Sequence, residues 1–257
     1  MTEDFFGKVV LVTGGGKGVG RGISEAFLEC GASVVICGRN EPDELPGACG
    51  RRAEFLSANV TDADAVANLF GEIQKRHGRV DMVVNNAGGS PFALAANSSP
   101  RFFESIVKLN LIAPFVVAKQ ANAVMQTQQT GGVIIFIASV SAIRPSPGTA
   151  AYGAAKAGVL NLVQSLAIEW APKVRVVAVT PGLVRTEKSD LHYGDEAGLA
   201  QVASTIPLGR MAEPADVGAA CVFVASAKAG YCSGTNLVLH GGGERPAFLG
   251  AAPVNKG

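Results

Sequence analysis

Tyr152 and Lys156 are two proton-exchanging side chains that stand four residues apart, in a segment whose apolar pattern predicts a helix. Residues with this spacing lie on one helical face, so the phenol and the ammonium group are expected to be neighbours. An ammonium favours the phenolate and would lower a pKa that is ordinarily about 10. Tyr152 is therefore a candidate proton donor and acceptor near neutral pH. Such pairs are also common on solvated helix surfaces, so the spacing alone does not establish an active site.

A glycine-rich segment, TGGGKGVG at residues 13–20, joins a predicted strand to a predicted helix. Glycines let the backbone approach a pyrophosphate, and a helix N-terminus presents unpaired N–H groups and the positive end of its dipole. An ordinary strand-to-helix turn is the alternative, but the strand–turn–helix context favours a phosphate site.

Two further polar groups follow predicted strands. The sequence Asn-Asn-Ala-Gly at residues 85–88 comes directly after the fourth strand, and Ser139 closes the fifth. Ligands of open parallel sheets collect at the carboxyl ends of the strands. Asn and Gly are also the commonest turn residues, so the first of these segments is a weak signal by itself.

The elements that position these residues alternate between short apolar strands and helical patterns. Strands are predicted at 8–13, 33–37, 53–58, 80–84, 133–138, 174–180 and 236–239, and helices at 18–31, 61–78, about 99–129, 150–170 and 214–227. Continuous apolar strands between helices indicate a parallel sheet covered on both faces. We expect one α/β domain over residues 1–257, a doubly wound, Rossmann-type parallel sheet.

Composition excludes several classes of protein. The chain has 257 residues, of which 48% are hydrophobic, and 22 basic residues balance 21 acidic ones. This balance argues against a partner that is nucleic acid or a membrane surface. The acidic start Met1-Thr2-Glu3-Asp4 is unlike a signal peptide, and the apolar runs are too short for a membrane span. The five cysteines form no CxxC pair and no metal-ligand spacing appears, so we expect reduced thiols, no metal and a cytoplasmic location.

Taken together in this order, the motifs resemble those of the short-chain dehydrogenase/reductase family over residues 7–243. The glycine motif matches at Thr13, Gly14, Gly18 and Gly20, the Asn-Asn-Ala-Gly motif at 85–88, and a later Pro-Gly motif at Pro181 and Gly182. The family's catalytic tetrad falls on Asn110, Ser139, Tyr152 and Lys156.

This resemblance implies hydride transfer between a nicotinamide cofactor and a carbonyl or secondary alcohol. Tyr152 would exchange the proton with the substrate oxygen, Ser139 would polarise that oxygen, and Lys156 would hold the nicotinamide ribose and lower the Tyr152 pKa. It also implies cofactor contacts from Gly14, Lys17, Gly18, Val19, Gly20, Arg39, Asn59, Val60, Asn86, Ala87, Gly88, Tyr152, Lys156, Pro181, Gly182, Val184 and Thr186, the last at the nicotinamide amide.

Asn110 would hold a water of the proton relay through its backbone carbonyl. Pro114 stands four residues later and has no N–H, so the helical hydrogen bond to that carbonyl cannot form. A plain proline kink is the alternative.

The residues after the second strand predict NADP(H) in preference to NAD(H). NAD-preferring relatives place an acidic residue where Gly38 stands, whereas Arg39 follows where NADP-preferring relatives carry a base. A guanidinium binds phosphate in bidentate fashion, and Lys17 would add a second positive charge. Stacking of Arg39 on the adenine is the alternative, and it would leave dual specificity.

The sequence departs from the family pattern in three places. Asn59 replaces the usual Asp after the third strand but can still accept a hydrogen bond from the adenine amine. His240 replaces the Asp of a late Asp-Gly-Gly and is expected to be structural or at a subunit contact. The tail at 244–257 extends past the usual end and is expected to pack on a neighbouring subunit or to fray.

The helix at 150–170 is apolar almost all round, which predicts burial on two sides and a homotetramer, as is common in the family. Its apolar residues are Val159, Leu160, Leu162, Val163, Leu166 and Ile168.

The substrate is a small carbonyl or alcohol compound whose identity the sequence leaves open. Phe92, Ile143 and Leu191 suggest an apolar cleft, and Arg144 would either meet a substrate anion or be a solvated surface residue. A 3-oxoacyl thioester, a steroid or other alicyclic ketone and a small ketone all remain candidates. A catalytically silent NADP-binding sensor is the alternative function, and it is disfavoured because the whole tetrad is present.

Overall fold

A parallel sheet of seven strands forms the centre of the protein, in a computed structural model that describes residues 5–187, 189 and 194–248. The strands are β1 Val9–Thr13, β2 Ser33–Gly38, β3 Glu54–Ser57, β4 Met82–Asn85, β5 Gly132–Ile137, β6 Val174–Pro181 and β7 Asn236–Leu239. Their spatial order is β3-β2-β1-β4-β5-β6-β7, and every neighbouring pair is parallel. The predicted doubly wound α/β fold is confirmed.

Seven α-helices of the described residues cover the two faces of this sheet. They are α1 Gly18–Glu29, α2 Ala63–His77, α3 Pro100–Val107, α4 Ala113–Thr127, α5 Ala150–Glu169, α6 Glu196–Thr205 and α7 Pro214–Ala225. Local chemistry sets several of their ends: the Asp62 carboxylate caps α2, the Ser99 hydroxyl caps α3, and Gly78 ends α2 in the left-handed conformation.

Alternate residues of each strand enter separate hydrophobic cores, which explains the continuous apolar runs. In β1, Leu11 packs in the core beneath α2, α4 and α5, whereas Val10 and Val12 pack in the core beneath α1 and α7. All three side chains are fully buried. A strand buried on both faces carries no polar alternation.

The segment predicted as one helix at about 99–129 is interrupted. A π-helical turn, Lys108–Ile112, separates α3 from α4. Pro114 supplies the physical reason, because a residue without an N–H cannot continue the α-helical pattern of hydrogen bonds. Helix α6 and a two-stranded antiparallel pair, Gly47–Ala48 with Arg51–Arg52, were not predicted.

Helix α5 packs Val159, Val163 and Leu166 against the sheet, while Leu160 and Leu162 are half-buried. Its outer surface is mostly small or polar, except for Ile168, which is 82% exposed. The expectation that α5 is apolar almost all round is therefore too strong. In the described part of the chain, no helix is long and apolar enough to span a membrane.

The direction of the chain reverses between β1 and β4. After β3 the chain crosses back over β1, so β2 and β4 flank β1 on opposite sides. Helices leave two such neighbouring strands in opposite directions, which opens a crevice at their carboxyl ends. The glycine-rich loop follows β1 and residues 86–88 follow β4, so both predicted ligand segments lie at this crevice.

Candidate active site

A cavity of about 850 Å³ occupies the crevice at the carboxyl ends of the strands. Nearly every predicted site residue lines it: Gly14, Lys17, Val19, Gly20, Arg39, Asn59, Val60, Asn86, Ala87, Gly88, Ser139, Tyr152, Lys156, Pro181, Gly182, Val184 and Thr186. Gly18 and Asn110 are the predicted residues that do not line it. The structure thus brings together segments spread over most of the sequence.

Thr13 joins the two ligand loops at the floor of this cavity. Its hydroxyl accepts hydrogen bonds from the backbone N–H groups of Asn86 and Ala87, both at 3.0 Å, and donates to the carbonyl of Val84. The Asn86 amide in turn donates to the backbone carbonyls of Thr13 and Gly14. These bonds fix the glycine-rich loop and the loop after β4 relative to each other.

The glycines of the first loop are needed because the backbone segments pass very close together. A Cβ at Gly20 would overlap the carbonyl oxygen of Gly14 and lie 2.5 Å from the Asn86 amide nitrogen. Gly14 itself has a φ of +64°. The loop can therefore present bare backbone at the N-terminus of α1, as a bound pyrophosphate requires.

Charge in the cavity also suits an anionic dinucleotide. Lys17, Arg39, Lys108 and Lys156 line it, and none of the described lining residues is acidic. Arg39 and Lys17 are exposed, and in the described residues neither side chain forms an ion pair. The residues present therefore fit a nicotinamide dinucleotide, which supplies the hydride donor or acceptor when bound.

Ser139, Tyr152 and Lys156 lie together at one part of the cavity wall. Ser139 follows β5, and its hydroxyl accepts a hydrogen bond from the backbone N–H of Ser141. Tyr152 and Lys156 lie on the first turns of α5, with the Lys156 Nζ 5.6 Å from the centre of the Tyr152 ring. Lys156 is buried and donates to the backbone carbonyl of Ile137 at 2.7 Å.

Burial shifts the pKa values of both titratable groups. Desolvation raises the pKa of the Tyr152 phenol, and hydrogen bonding by the Ser139 hydroxyl opposes this shift. Desolvation lowers the pKa of Lys156 to about 8. In the ligand-free protein the loss of hydration therefore dominates the Tyr152 pKa, and the lowering of this pKa by Lys156 stays a prediction.

Asn110 lies fully buried in the π-helical turn, behind the cavity wall. Its side-chain carbonyl accepts from the backbone N–H of Gly89, and its amide donates to the carbonyls of Gly89 and Ile106, each at 2.9 Å. A Cβ on Gly88 would come within 2.6 Å of that side-chain oxygen. The Asn110 side chain thus positions the loop after β4, a contact that its place in the sequence did not predict.

Sequence reasoning missed several lining residues on α3 and the π-helical turn, namely Ser105, Ile106, Lys108 and Leu109. Their closeness in sequence to Asn110 could have indicated that they line the cavity. The sequence predicted one continuous helix there, however, and a continuous helix does not show which of these side chains face the cavity. Asn59 is present as predicted, although its side-chain oxygen accepts from the backbone and hydroxyl of Thr61.

The residues predicted for the substrate are only partly brought together. Ile143, Arg144 and His240 line a smaller cavity of about 200 Å³. Phe92 is 71% exposed, and Leu191 lies outside the described residues. Arg144 forms an ion pair with Glu244 at 2.7 Å, so it is neither a free anion ligand nor a simply solvated residue.

Of the predicted tail at 244–257, residues 249–257 lie outside the described part of the chain.

Comparisons with known proteins find similarity over most of the chain. A family model described as enoyl-(acyl carrier protein) reductase matches residues 14–244. L-fucose dehydrogenase of Oryctolagus cuniculus is 36% identical, over 98% of this chain and 88% of that protein. The 3-oxoacyl-(acyl-carrier-protein) reductase FabG of Haemophilus influenzae is 34% identical, over 92% of this chain and 98% of that protein. The ligand-free aldohexose dehydrogenase of Thermoplasma acidophilum superimposes with a TM-score of 0.85 at 29% identity, covering 94% of both chains.

Proposed function

Since the chain belongs to the short-chain dehydrogenase/reductase family, we propose a catalytic centre and a cofactor preference for it. It is a nicotinamide-dependent oxidoreductase that transfers hydride between the cofactor and a carbonyl or secondary alcohol. The proposed catalytic residues are Asn110, Ser139, Tyr152 and Lys156. The observation that carries this assignment is that Ser139, Tyr152 and Lys156 share one cavity with the glycine-rich loop.

Tyr152 is the proposed proton donor in carbonyl reduction. Because burial raises the pKa of its phenol, the side chain holds its proton at neutral pH and can give it to the carbonyl oxygen as that oxygen gains charge. In alcohol oxidation the same group must first ionise, so the oxidation rate rises with pH. The hydroxyl of Ser139 donates to the same substrate oxygen and stabilises its developing charge.

Lys156 has two proposed roles. Its ammonium group lies close enough to the Tyr152 ring to stabilise the phenolate that forms when the proton leaves. It also donates hydrogen bonds to the ribose hydroxyls of the nicotinamide nucleoside. The bond to the Ile137 carbonyl holds the buried ammonium at the place where both roles are needed.

Asn110 is the proposed anchor of the proton relay. Its side chain is used in hydrogen bonds to Gly89 and Ile106, so the backbone carbonyl is the group proposed to bind water. Pro114 has no N–H to donate to that carbonyl, and the π-helical turn lies at this point of the chain. A water bound there would return the proton to Tyr152 or remove it.

NADP(H) is the proposed cofactor in preference to NAD(H). Gly38 presents no carboxylate to the adenosine ribose, and a Cβ there would meet nothing closer than 3.6 Å. Arg39 follows at the cavity wall and Lys17 lies in the glycine-rich loop. A 2′-phosphate would therefore meet two cations and no anion, which favours NADP(H).

A homotetramer is the proposed assembly, supported by two apolar surfaces on different sides of the molecule. The first lies on α3, the π-helical turn, α4 and α5, where Phe103, Ile112, Phe115 and Ile168 are exposed. The second lies near the β7 edge of the sheet, with Phe223, Tyr231 and Val238 exposed. Two different self-complementary interfaces produce a tetramer with two-fold symmetries.

The cytoplasmic location stays a prediction.

The test is a panel of carbonyl compounds assayed with NADPH and with NADH. The panel contains a 3-oxoacyl thioester, an alicyclic ketone and a small ketone, and the corresponding oxidation assay includes L-fucose and an aldohexose. We expect turnover of at least one class, abolished in the Tyr152→Phe variant. Tight NADPH binding without turnover on any class would instead support the catalytically silent sensor.

A further inference from the structure

The smaller cavity, of about 200 Å³, lies directly beside the proposed catalytic serine. It shares Gly182 with the cofactor cavity, and its wall includes Val140, the residue after Ser139. Ile143, Leu183 and Ile206 give aliphatic side chains to the remaining wall, which His240 also lines. If the proposed function is correct, a substrate whose carbonyl oxygen is held at Ser139 extends its other end into this space.

An ion pair forms one wall of this cavity. The Nη2 of Arg144 lies 2.7 Å from Oε1 of Glu244, and Nη1 donates to the carbonyl of Pro145 at 3.0 Å. The Nε of Arg144 is fully buried, and among the described residues it has no hydrogen-bond partner. A buried donor without a partner is unusual in native proteins.

The position of Glu244 is fixed by the backbone around it. The carbonyl of Gly241 accepts from the N–H of Leu208 at 3.0 Å, and the N–H of Arg245 donates to the carbonyl of Thr205 at 3.2 Å. Both contacts hold the segment after β7 against the end of α6. These two hydrogen bonds, one before and one after Glu244 in the sequence, place its backbone beside the cavity.

We propose that Glu244 sets the charge selectivity of the substrate site, and this proposal rests on the proposed oxidoreductase function. By pairing with Arg144, Glu244 makes the enzyme select neutral substrates over those that carry a carboxylate at the end remote from the reacting carbon. An incoming carboxylate meets an arginine that is already neutralised and a second carboxylate beside it, and these like charges repel even though the side chains of Arg144 and Glu244 are 36% and 40% exposed. A neutral end of a substrate meets neither cost.

The Glu244→Gln variant tests this proposal, because it retains the shape of the side chain and removes its charge. The probes are 4-oxocyclohexanecarboxylate and its methyl ester, which differ only in charge and one methyl group. Their dissociation constants are measured by calorimetry on the protein saturated with NADP⁺, where neither ketone can react. The controls are Arg144→Gln and the double variant Arg144→Gln/Glu244→Gln.

We expect the wild-type protein to bind the ester more tightly than the acid. In Glu244→Gln the free guanidinium gains a charge-assisted bond to the acid, which should then bind about tenfold more tightly, with little change for the ester. The double variant should lose this gain, because its cause is Arg144.

Three results would overturn the proposal: an unchanged acid-to-ester ratio in Glu244→Gln, a gain that survives in the double variant, or no binding of either probe to any of the proteins. Failure of the proposed function is distinguishable from these results. It appears as a lack of turnover in the wild-type substrate panel, whereas the binding ratio reports on the charge of the cavity whether or not the chemistry occurs.

Discussion

Burial of the Tyr152–Lys156 pair changes both groups toward their neutral forms. The phenol holds its proton more strongly than in water, and the pKa of the ammonium group falls to about 8. In water a tyrosine phenol and a lysine ammonium have pKa values that nearly coincide. Burial raises the pKa of Tyr152 and lowers that of Lys156, so Tyr152 holds its proton more strongly than Lys156 does. This order suits a site in which the tyrosine donates the proton and the lysine supplies charge.

Tyr152→Phe should abolish turnover while leaving cofactor binding almost unchanged. The substitution removes the proton and keeps the ring, so the expected loss is roughly 3 kcal/mol or more of transition-state stabilisation. Steady-state kinetics measure the loss, and fluorescence titration with NADPH measures the affinity. Tyr231→Phe is the matched control, because Tyr231 is fully exposed. Near wild-type turnover in Tyr152→Phe would contradict the assignment of the proton donor.

Arg39→Ala should reduce the preference for NADPH over NADH. Charge-assisted hydrogen bonds contribute about 1.5–3 kcal/mol, so the wild type should favour NADPH by about tenfold or more in kcat/KM, and the variant should lose most of this ratio. Arg101→Ala is a suitable control, since Arg101 is exposed on α3 and does not line the cavity. A wild type that prefers NADH, or an unchanged ratio in Arg39→Ala, would show that Arg39 does not read the phosphate.

Close contact between helices α1 and α7 limits substitution at the scale of secondary-structure elements. A Cβ on Gly22 would overlap the backbone of Pro214, and one on Gly218 would lie 2.5 Å from the carbonyl oxygen of Gly22. Helix α1 begins at the glycine-rich loop, so its packing distance from α7 also fixes where the phosphate-binding backbone lies. A glycine on α2, Gly71, has open space around it.

Gly22→Ala and Gly71→Ala should therefore change the free energy of unfolding in opposite directions. At Gly22 the new methyl group forces the helices apart, at an expected cost of about 1–3 kcal/mol or more. At Gly71 the same substitution removes the conformational freedom of a mid-helix glycine and should stabilise the protein by roughly 0.5–1 kcal/mol. Urea unfolding followed by circular dichroism measures both values. Equal effects at the two positions would mean that the α1–α7 contact does not limit stability.

Exposed apolar side chains on two sides of the whole molecule favour association of its copies. Ile168 on α5 is 82% exposed, and Tyr231 near the β7 edge is completely exposed. Strand β7 is the edge of the sheet formed by the described residues, so backbone groups with no partner strand there add to the second surface. Covering both surfaces by two-fold contacts removes this apolar area from water and closes the assembly at four subunits.

Light scattering should give a mass about four times the 26.3 kDa of the chain at micromolar concentration. Ile168→Glu and Tyr231→Glu each place a charge in one proposed interface, so each variant should form dimers through the other, and the double variant should be monomeric. Unfolding curves serve as the control for correct folding. A monomeric wild type, or a tetramer that survives both substitutions, would contradict the proposed interfaces.

The sequence by itself determined the fold class, and its resemblance to the family named most of the residues that line the large cavity. Continuous apolar strands such as Val9–Thr13 require a sheet covered on both faces, and motifs that follow strands must collect at one edge of a parallel sheet. These are local properties of pattern and order along the chain. The sequence also linked Pro114, which has no N–H, to the loss of the helical hydrogen bond to the Asn110 carbonyl.

Only the tertiary structure decided the electrostatics and the contacts between distant segments. The direction of the Tyr152 pKa shift depends on how much water surrounds the phenol, which the spacing to Lys156 does not reveal. The pairing of Arg144 with Glu244 joins residues that are far apart in the chain. The interruption at Lys108–Ile112 turns α3 side chains into the cavity. Desolvation and contacts between distant residues depend on the packing of the whole chain, so no local sequence pattern could predict them.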